Sequence, residues 1–257
     1  MRFIVCIKQV PSTNEVRLDP ETHAIIRDGR QSVINPFDLY AVEQARQLRD
    51  RMGGKLTALS MGIPATERLL RECVSRGCDD AVLLTDRAFA GSDTLATSYA
   101  ISLGVRKLGG ADLILCGKMA VDGDTAQIGP ELAQTLGYHC VTDVCEVLEI
   151  TEKEITVRKK TEDGSVTERA AFPVVITVVK DIVQPSLPSI AGVRRSFEAP
   201  FACITAAEAE ADTSRTGFNG SPTTVVKTFT PEGRTEAVTV EKENAAAFIL
   251  GKLQEVR

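Results

Sequence analysis

Short apolar runs alternate with amphipathic stretches along the first half of the chain. Arg-Phe-Ile-Val-Cys-Ile at 2–7 predicts a buried first strand, and further strand-like runs lie at 55–60, 81–84 and 111–116. Asn35-Pro36-Phe37-Asp38 opens a helix: Asn35 can cap, Pro36 suits the first helical position, and the Asp38 charge complements the helix end. Ala41, Val42, Ala45 and Leu48 supply its apolar stripe, and Gly53-Gly54 ends it. The same spacing predicts helices over 65–76, 94–108 and 125–136. Strands joined by amphipathic helices imply crossover units, hence an α/β fold with a mostly parallel sheet flanked by helices.

Two stretches depart from this pattern. Residues 11–34 carry the turn signals Asp19-Pro20 and Asp28-Gly29 and predict a small hairpin region. Beyond about residue 145, runs at 147–150, 154–158, 165–169 and 174–179 predict more strands, with Asp163-Gly164 as a hairpin turn and the last run returning to the main sheet. Residues 184–200, with three prolines and Arg194-Arg195, read as an exposed connector or docking loop. From 203 to 244 the chain is Ala-rich, then Gly-Ser-Pro-containing, then Thr-rich, which suits an extended arm, and 245–256 predicts a terminal helix with Ala246, Phe248, Ile249 and Leu253 on one face. The expected organisation is a domain over 1–200 and a C-terminal arm over 201–257 that contacts a larger body.

Composition narrows the class. The chain has 257 residues, 43% of them hydrophobic, with no Trp, so an aliphatic core is expected. A formal charge of -5 argues against a nucleic-acid binder relying on broad positive potential. No stretch reaches the roughly 20 apolar residues of a membrane span, and the first residues lack a secretory pattern, so the expected location is the cytoplasm. Seven irregularly spaced cysteines and two histidines predict neither a disulfide scaffold nor a His-rich metal centre.

The chemistry concentrates at 121–130, Val-Asp-Gly-Asp-Thr-Ala-Gln-Ile-Gly-Pro, which follows a predicted strand and enters a predicted helix. Ligands of open α/β sheets bind at that edge, where loop amides can hold phosphate oxygens. Gly123 permits close backbone approach, while Thr125 and Gln127 offer polar side chains. Asp122 and Asp124 would repel phosphate directly; orienting the loop, binding ribose hydroxyls or capping the helix suits them better. An acidic turn with no ligand fits the same residues. Phosphate-loop, dinucleotide and nucleophile-elbow patterns are absent from the sequence.

At this point the sequence resembles the electron transfer flavoprotein beta-subunit family. The likeness runs through Cys6-Ile7-Lys8-Gln9-Val10-Pro11, Asn35-Pro36-Phe37-Asp38 with Ala41-Val42-Glu43, Ser60-Met61-Gly62, and the run from Gly117 to Pro130. It implies an adenine-nucleotide-binding domain and a heterodimer with an alpha subunit that the C-terminal extension clasps. Ordinary members bind structural AMP; the electron-bifurcating branch binds a second FAD. The 122–130 motif, Phe89-Ala90-Gly91-Ser92-Asp93-Thr94-Leu95-Ala96-Thr97-Ser98, and Gly220-Ser221-Pro222-Thr223 with Lys227-Thr228-Phe229-Thr230 resemble that branch.

By this resemblance, Cys6, Asn35, Phe37, Asp38 and Met61 would surround the adenine or ribose. Gly117, Asp122, Gly123, Asp124, Thr125, Ala126 and Gln127 would surround ribose and phosphates, and Asp93, Thr94 and Thr97 would approach the flavin. A helix cap is the plain alternative for Asp93-Thr94, and the two roles can coexist because capping fixes the loop that the flavin would meet. Leu187, in Gln184-Pro185-Ser186-Leu187-Pro188-Ser189-Ile190, would anchor an acyl-CoA dehydrogenase, with Arg194 and Arg195 steering it; a leucine packed under a turn is the plain alternative. The implied function is NADH oxidation with electrons divided between an acyl-CoA dehydrogenase and ferredoxin or flavodoxin. No side-chain catalyst is expected, because the flavin carries the redox chemistry, and no metal is expected from the cysteine spacing and the two histidines. A conventional beta subunit holding AMP and a non-redox adenine-nucleotide module are the alternatives.

Overall fold

The computed structural model describes residues 1–12, 32–226 and 238–255. They fall into two compact units, Met1–Thr224 and Val225–Arg257. The first begins with β1 (Arg2–Cys6), whose Phe3, Ile4, Val5 and Cys6 are all buried. An antiparallel ribbon follows, β2 (Gln9–Pro11) against β3 (Ser32–Ile34), flanking the expected hairpin; its turn signals at 19–20 and 28–29 lie outside the described residues. Then come α1 (Pro36–Met52), β4 (Lys55–Met61), α2 (Glu67–Ser75), β5 (Asp80–Leu84), α3 (Thr94–Lys107), β6 (Leu113–Gly117) and α4 (Ile128–Leu136). β7 (His139–Ile150), β8 (Glu154–Thr161) and β9 (Gly164–Ala171) form an antiparallel extension, and β10 (Val174–Val178) returns between β6 and β7. After α5 (Ile190–Glu198), β11 (Phe201–Ile204) adds beside β5.

The nine strands run in the order β11-β5-β4-β1-β6-β10-β7-β8-β9. Pairing is parallel from β11 to β7 and antiparallel from β7 to β9. Both faces of the central parallel strands β5, β4, β1, β6 and β10 are covered, which explains their near-continuous apolar sequences. Phe3, Val5, Leu113 and Leu115 pack with Val42, Ala45 and Leu48 of α1 and Leu69 and Leu70 of α2. On the other face Ile4, Cys6, Ile114 and Cys116 pack with Ala100 and Val105 of α3 and Leu132 and Ala133 of α4. The sheet's carboxyl edge therefore gathers the ends of β1, β4 and β6 with the starts of α1, α3 and α4.

Several boundaries differ from the sequence expectation. Helix α4 starts at Ile128, not 125, because Asp124 and Ala126 hold positive φ angles of 52° and 54° that no helix tolerates. The β8–β9 turn is centred on Glu162-Asp163, with Gly164 opening β9 at φ 148°. Residues 184–200 contain the unpredicted α5, whose cap is Ser189: its Oγ accepts from the Gly192 N–H at 2.9 Å. Asn35 does not cap α1 through its side chain, which is engaged elsewhere. The domain boundary expected after residue 200 falls after Thr224, since β11 joins the sheet and Asp212 donates its N–H to the Tyr99 hydroxyl at 3.0 Å.

In the second unit, α6 (Ala245–Glu255) agrees with the helix expected at 245–256, residue 256 lying outside the described residues. None of its residues is buried, and Phe248, Ile249, Leu250 and Leu253 are exposed. No helix among the described residues is long and apolar enough to cross a membrane.

Candidate functional site at the carboxyl edge of the sheet

The start of α1 organises the inner half of the site. Asn35 is 1% exposed, so each of its polar atoms needs a partner. Its Nδ2 donates to Asp38 Oδ1 and to the Met119 carbonyl, both at 2.9 Å, and its Oδ1 accepts from the Val121 N–H at 3.1 Å. Asp38 in turn accepts from the Lys8 N–H at 2.7 Å and the Gly117 N–H at 3.2 Å, tying together the ends of β1 and β6. Burial pushes the Asp38 carboxyl up to about 7, with the donors from Asn35, Lys8 and Gly117 acting in the opposite direction.

Gly117 has no room for a side chain: a Cβ there would come within 2.3 Å of Asp38 Oδ1 and 2.7 Å of the Phe37 Cβ. Phe37 is half-buried against this point, Cys6 is buried at the end of β1, and Met61 is half-buried at the end of β4. Asp122, expected to orient the loop or meet ribose, is ion-paired with Lys8 Nζ at 2.6 Å. That pair ties the β1 end to the turn and offsets the negative charge of Asp122.

The turn itself has the geometry of an anion cradle. The N–H groups of Gly123 and Asp124 donate back to the Ala120 carbonyl at 3.2 and 2.8 Å. The next three, on Thr125, Ala126 and Gln127, have no acceptor among the described residues. With left-handed residues at 124 and 126, this is the alternating backbone that turns successive N–H groups toward one concave side. Gly123 is exposed with open space around its Cα, so the strain lies at Asp124 and Ala126 rather than at the glycine.

The outer half is built by the start of α3. Asp93 caps it, accepting from the Ala96 N–H at 3.1 Å, and also accepts from the Thr223 N–H at 3.1 Å and hydroxyl at 2.8 Å. These bonds hold the Asp93 carboxyl below its usual value although burial acts against them. Thr94 Oγ1 lies 3.2 Å from Gln127 Oε1 and 3.1 Å from Glu131 Oε1, joining α3 to the turn and to α4. Thr97 stands one helical turn further on, half-buried.

Lys8, Glu131, Thr223 and Ser221, whose Oγ accepts from the Asp93 N–H at 2.8 Å, are not among the sequence candidates. Lys8 lies inside a motif that had been recognised, and Ser221 and Thr223 in one assigned to the arm; Glu131 gave no signal. Burial raises the Glu131 carboxyl, and its Oε2 has no partner among the described residues. Leu187, Arg194 and Arg195 lie away from this edge, around α5. Leu187 is 86% exposed, Arg194 is exposed, and Arg195 Nη2 donates to the carbonyls of Val74 at 2.7 Å and Cys78 at 3.1 Å. An open cavity of about 580 Å³ lies on that side, between α2 and α5.

Residues 22–210 match the model of the electron transfer flavoprotein domain. A Clostridium acetobutylicum protein named electron transfer flavoprotein subunit beta is 42% identical over 257 residues, covering 99% of this chain and 98% of its own. Protein FixA of Bradyrhizobium diazoefficiens is 42% identical, covering 97% of this chain and 90% of its own. An Acetobacterium woodii protein named caffeyl-CoA reductase-Etf complex subunit CarD is 39% identical, covering 99% and 98%.

Proposed function

The chain belongs to the electron transfer flavoprotein family, as a beta subunit, and from that premise we propose that it binds FAD at the carboxyl edge. Paired with an alpha subunit in the cytoplasm, it serves NADH oxidation with electrons divided between an acyl-CoA dehydrogenase and ferredoxin or flavodoxin. Bound FAD would supply the redox chemistry.

The chain's own residues bind and orient. The N–H groups of Thr125, Ala126 and Gln127, which have no acceptor among the described residues, suit a phosphate, and the neighbouring α4 start adds a favourable dipole. Asn35 and Asp38 hold the loop ends in place, beside Cys6, Phe37, Gly117 and Met61 on the adenine side. Asp124 shapes the turn, and Lys8 draws Asp122 away from the incoming charge. Asp93 fixes the start of α3, where Thr94 and Thr97 would meet the isoalloxazine end.

The observation that carries this reading is the contact of Thr94 with Gln127, which continues the cradle directly into the α3 start. A ligand seated on the 125–127 amides then has a polar surface beyond its phosphates, as FAD requires and AMP does not. The likeness to a subunit named for a caffeyl-CoA reductase complex supports an acyl-CoA-linked flavoprotein as partner. Leu187, Arg194 and Arg195 would face that partner, and the arm after residue 224 would face the alpha subunit.

The conventional reading, with structural AMP, draws on a different observation: Asp93 and Thr94 are already satisfied within the chain. Anaerobic purification with the alpha subunit and a count of nucleotides separates the two. Two FAD per heterodimer supports our reading, and one FAD with one AMP supports the conventional one. Division of electrons then requires that NADH reduce ferredoxin only when the high-potential acceptor is also present.

A further inference from the structure

Leu187 and Ile190 are 86% and 93% exposed, yet the segment that carries them is held at fixed points on both sides. The first point is Ser186. Its N–H donates to Glu43 Oε2 at 3.3 Å, and its carbonyl accepts from Arg76 Nη1 at 2.8 Å. Both backbone groups of the residue before Leu187 are therefore taken up by side chains of α1 and of the residue that follows α2.

Neither side chain is placed there casually. Glu43 is 3% exposed in the middle of α1, where a carboxylate is tolerated only with strong partners. Arg46 Nη2 at 2.6 Å and Gln47 Nε2 at 2.9 Å both donate to its Oε1, and its Oε2 accepts from Arg46 Nε at 3.4 Å as well as from the Ser186 N–H. Burial raises the Glu43 carboxyl, but the donors from Arg46, Gln47 and Ser186 outweigh it, so the group stays below its usual value and remains an anionic acceptor. Arg76 is steadied by Glu72 Oε1, 2.8 Å from its Nη2 and 3.1 Å from its Nε, leaving Nη1 for the Ser186 carbonyl. The second fixed point is the seat of α5. A Cβ on Gly192 would come within 2.2 Å of the Ser75 carbonyl oxygen, and Arg195 donates to the carbonyls of Val74 and Cys78.

We propose that Glu43 and Arg76 are positioning residues that preset Leu187 for docking to an acyl-CoA-oxidising flavoprotein. This rests on the assignment of Leu187 to that partner. The physical gain is that the loop's ordering is met within the free subunit instead of at the moment of association, where it would weaken binding. A clamp of this kind changes how often the loop is in its docking conformation and leaves the electron-transfer step itself untouched.

The test uses the complete heterodimer with purified butyryl-CoA dehydrogenase as the acceptor probe. Glu43→Gln and Arg76→Met keep side-chain bulk but remove an anionic acceptor and a donor, and Arg76→Lys retains a donor. Amide hydrogen exchange over 184–190 reports the clamp alone; the KM for the dehydrogenase, set against kcat, reports docking. Glu43→Gln and Arg76→Met are expected to speed exchange about tenfold. They should also raise KM by about 3- to 10-fold at unchanged kcat. Arg76→Lys should recover part of both effects, and Leu187→Ala should abolish the KM differences between the clamp variants. Unchanged exchange in both clamp variants overturns the clamp. Faster exchange with unchanged KM, when Leu187→Ala alone raises KM, overturns its role in docking but leaves the docking reading intact. A Leu187→Ala heterodimer with unchanged KM overturns the docking reading and the proposal with it.

Discussion

Asp38 shows how much one side chain can be asked to hold. Its carboxyl is buried, receives three hydrogen bonds and sits where β1, β6 and the 119–121 loop meet. Its value in the folded chain, about 7, lies above the ordinary 3.8. Below about pH 4 the group is protonated in folded and unfolded chains alike. As pH rises from there toward 7 the unfolded chain releases the proton first, so stability contributed by this group is lost through that window. In Asp38→Asn the ionisation is gone. The stability difference between wild type and variant, measured by urea unfolding from pH 4.5 to 8, should therefore shift by up to about 3 kcal/mol, moving against wild type as pH rises. A flat difference would mean that the three donors offset the burial. At the outer half, Thr94→Ala removes the hydroxyl between Gln127 and Glu131. In the FAD-loaded heterodimer it should shift the potential of the beta-subunit flavin and leave that of the alpha-subunit flavin in place, as read by spectroelectrochemistry; unchanged potentials would take Thr94 out of the flavin's surroundings.

At the scale of elements, helix α1 links two surfaces. Asp38 faces the carboxyl edge of the sheet and Glu43, five residues or about 7.5 Å further along the axis, reaches Ser186. The apolar periodicity made this helix legible, as it did the strands at 2–7 and 111–116, because parallel strands covered on both faces leave continuous apolar runs. It could not reveal α5. Pro185, Pro188 and Gly192 are loop residues by composition, and what makes 190–198 helical is the Ser189 cap and a seat on the end of α2 that only a folded partner supplies. The cradle was legible as a motif but not in its mechanism, since the strained residues are Asp124 and Ala126 and not Gly123. Asn35 was legible as a polar residue at a helix start, yet its amide serves the loop 84 residues away. The α5 seat gives a direct prediction. Gly192→Ala forces a methyl onto the Ser75 carbonyl, and should cost about 1–3 kcal/mol as α5 is displaced. Thermal unfolding should fall by about 2–4 °C per kcal/mol. Nucleotide affinity at the proposed carboxyl-edge site should not change.

For the whole molecule, the placement of apolar surface separates what folds from what associates. The unit Met1–Thr224 buries the central parallel strands of its sheet on both faces. The unit Val225–Arg257 instead carries a helix with no buried residue, on which Ile249 is 56% and Leu253 61% exposed. Side chains of this size are worth about 1.5–3 kcal/mol each when fully removed from water, a gain that α6 has not realised within its own unit. If an alpha subunit covers this helix, Ile249→Glu with Leu253→Glu replaces two apolar contacts by charges that the interface must desolvate. The subunit expressed alone should then unfold within about 0.5 kcal/mol of wild type, because exposed positions carry little of its stability. Its dissociation constant for the alpha subunit should rise by at least about 100-fold. Analytical ultracentrifugation of the mixed subunits reads the second quantity and denaturant unfolding the first. A loss of both would mean that α6 supports the fold of this chain. An unchanged dissociation constant with unchanged stability would move the alpha-subunit contact off α6 altogether.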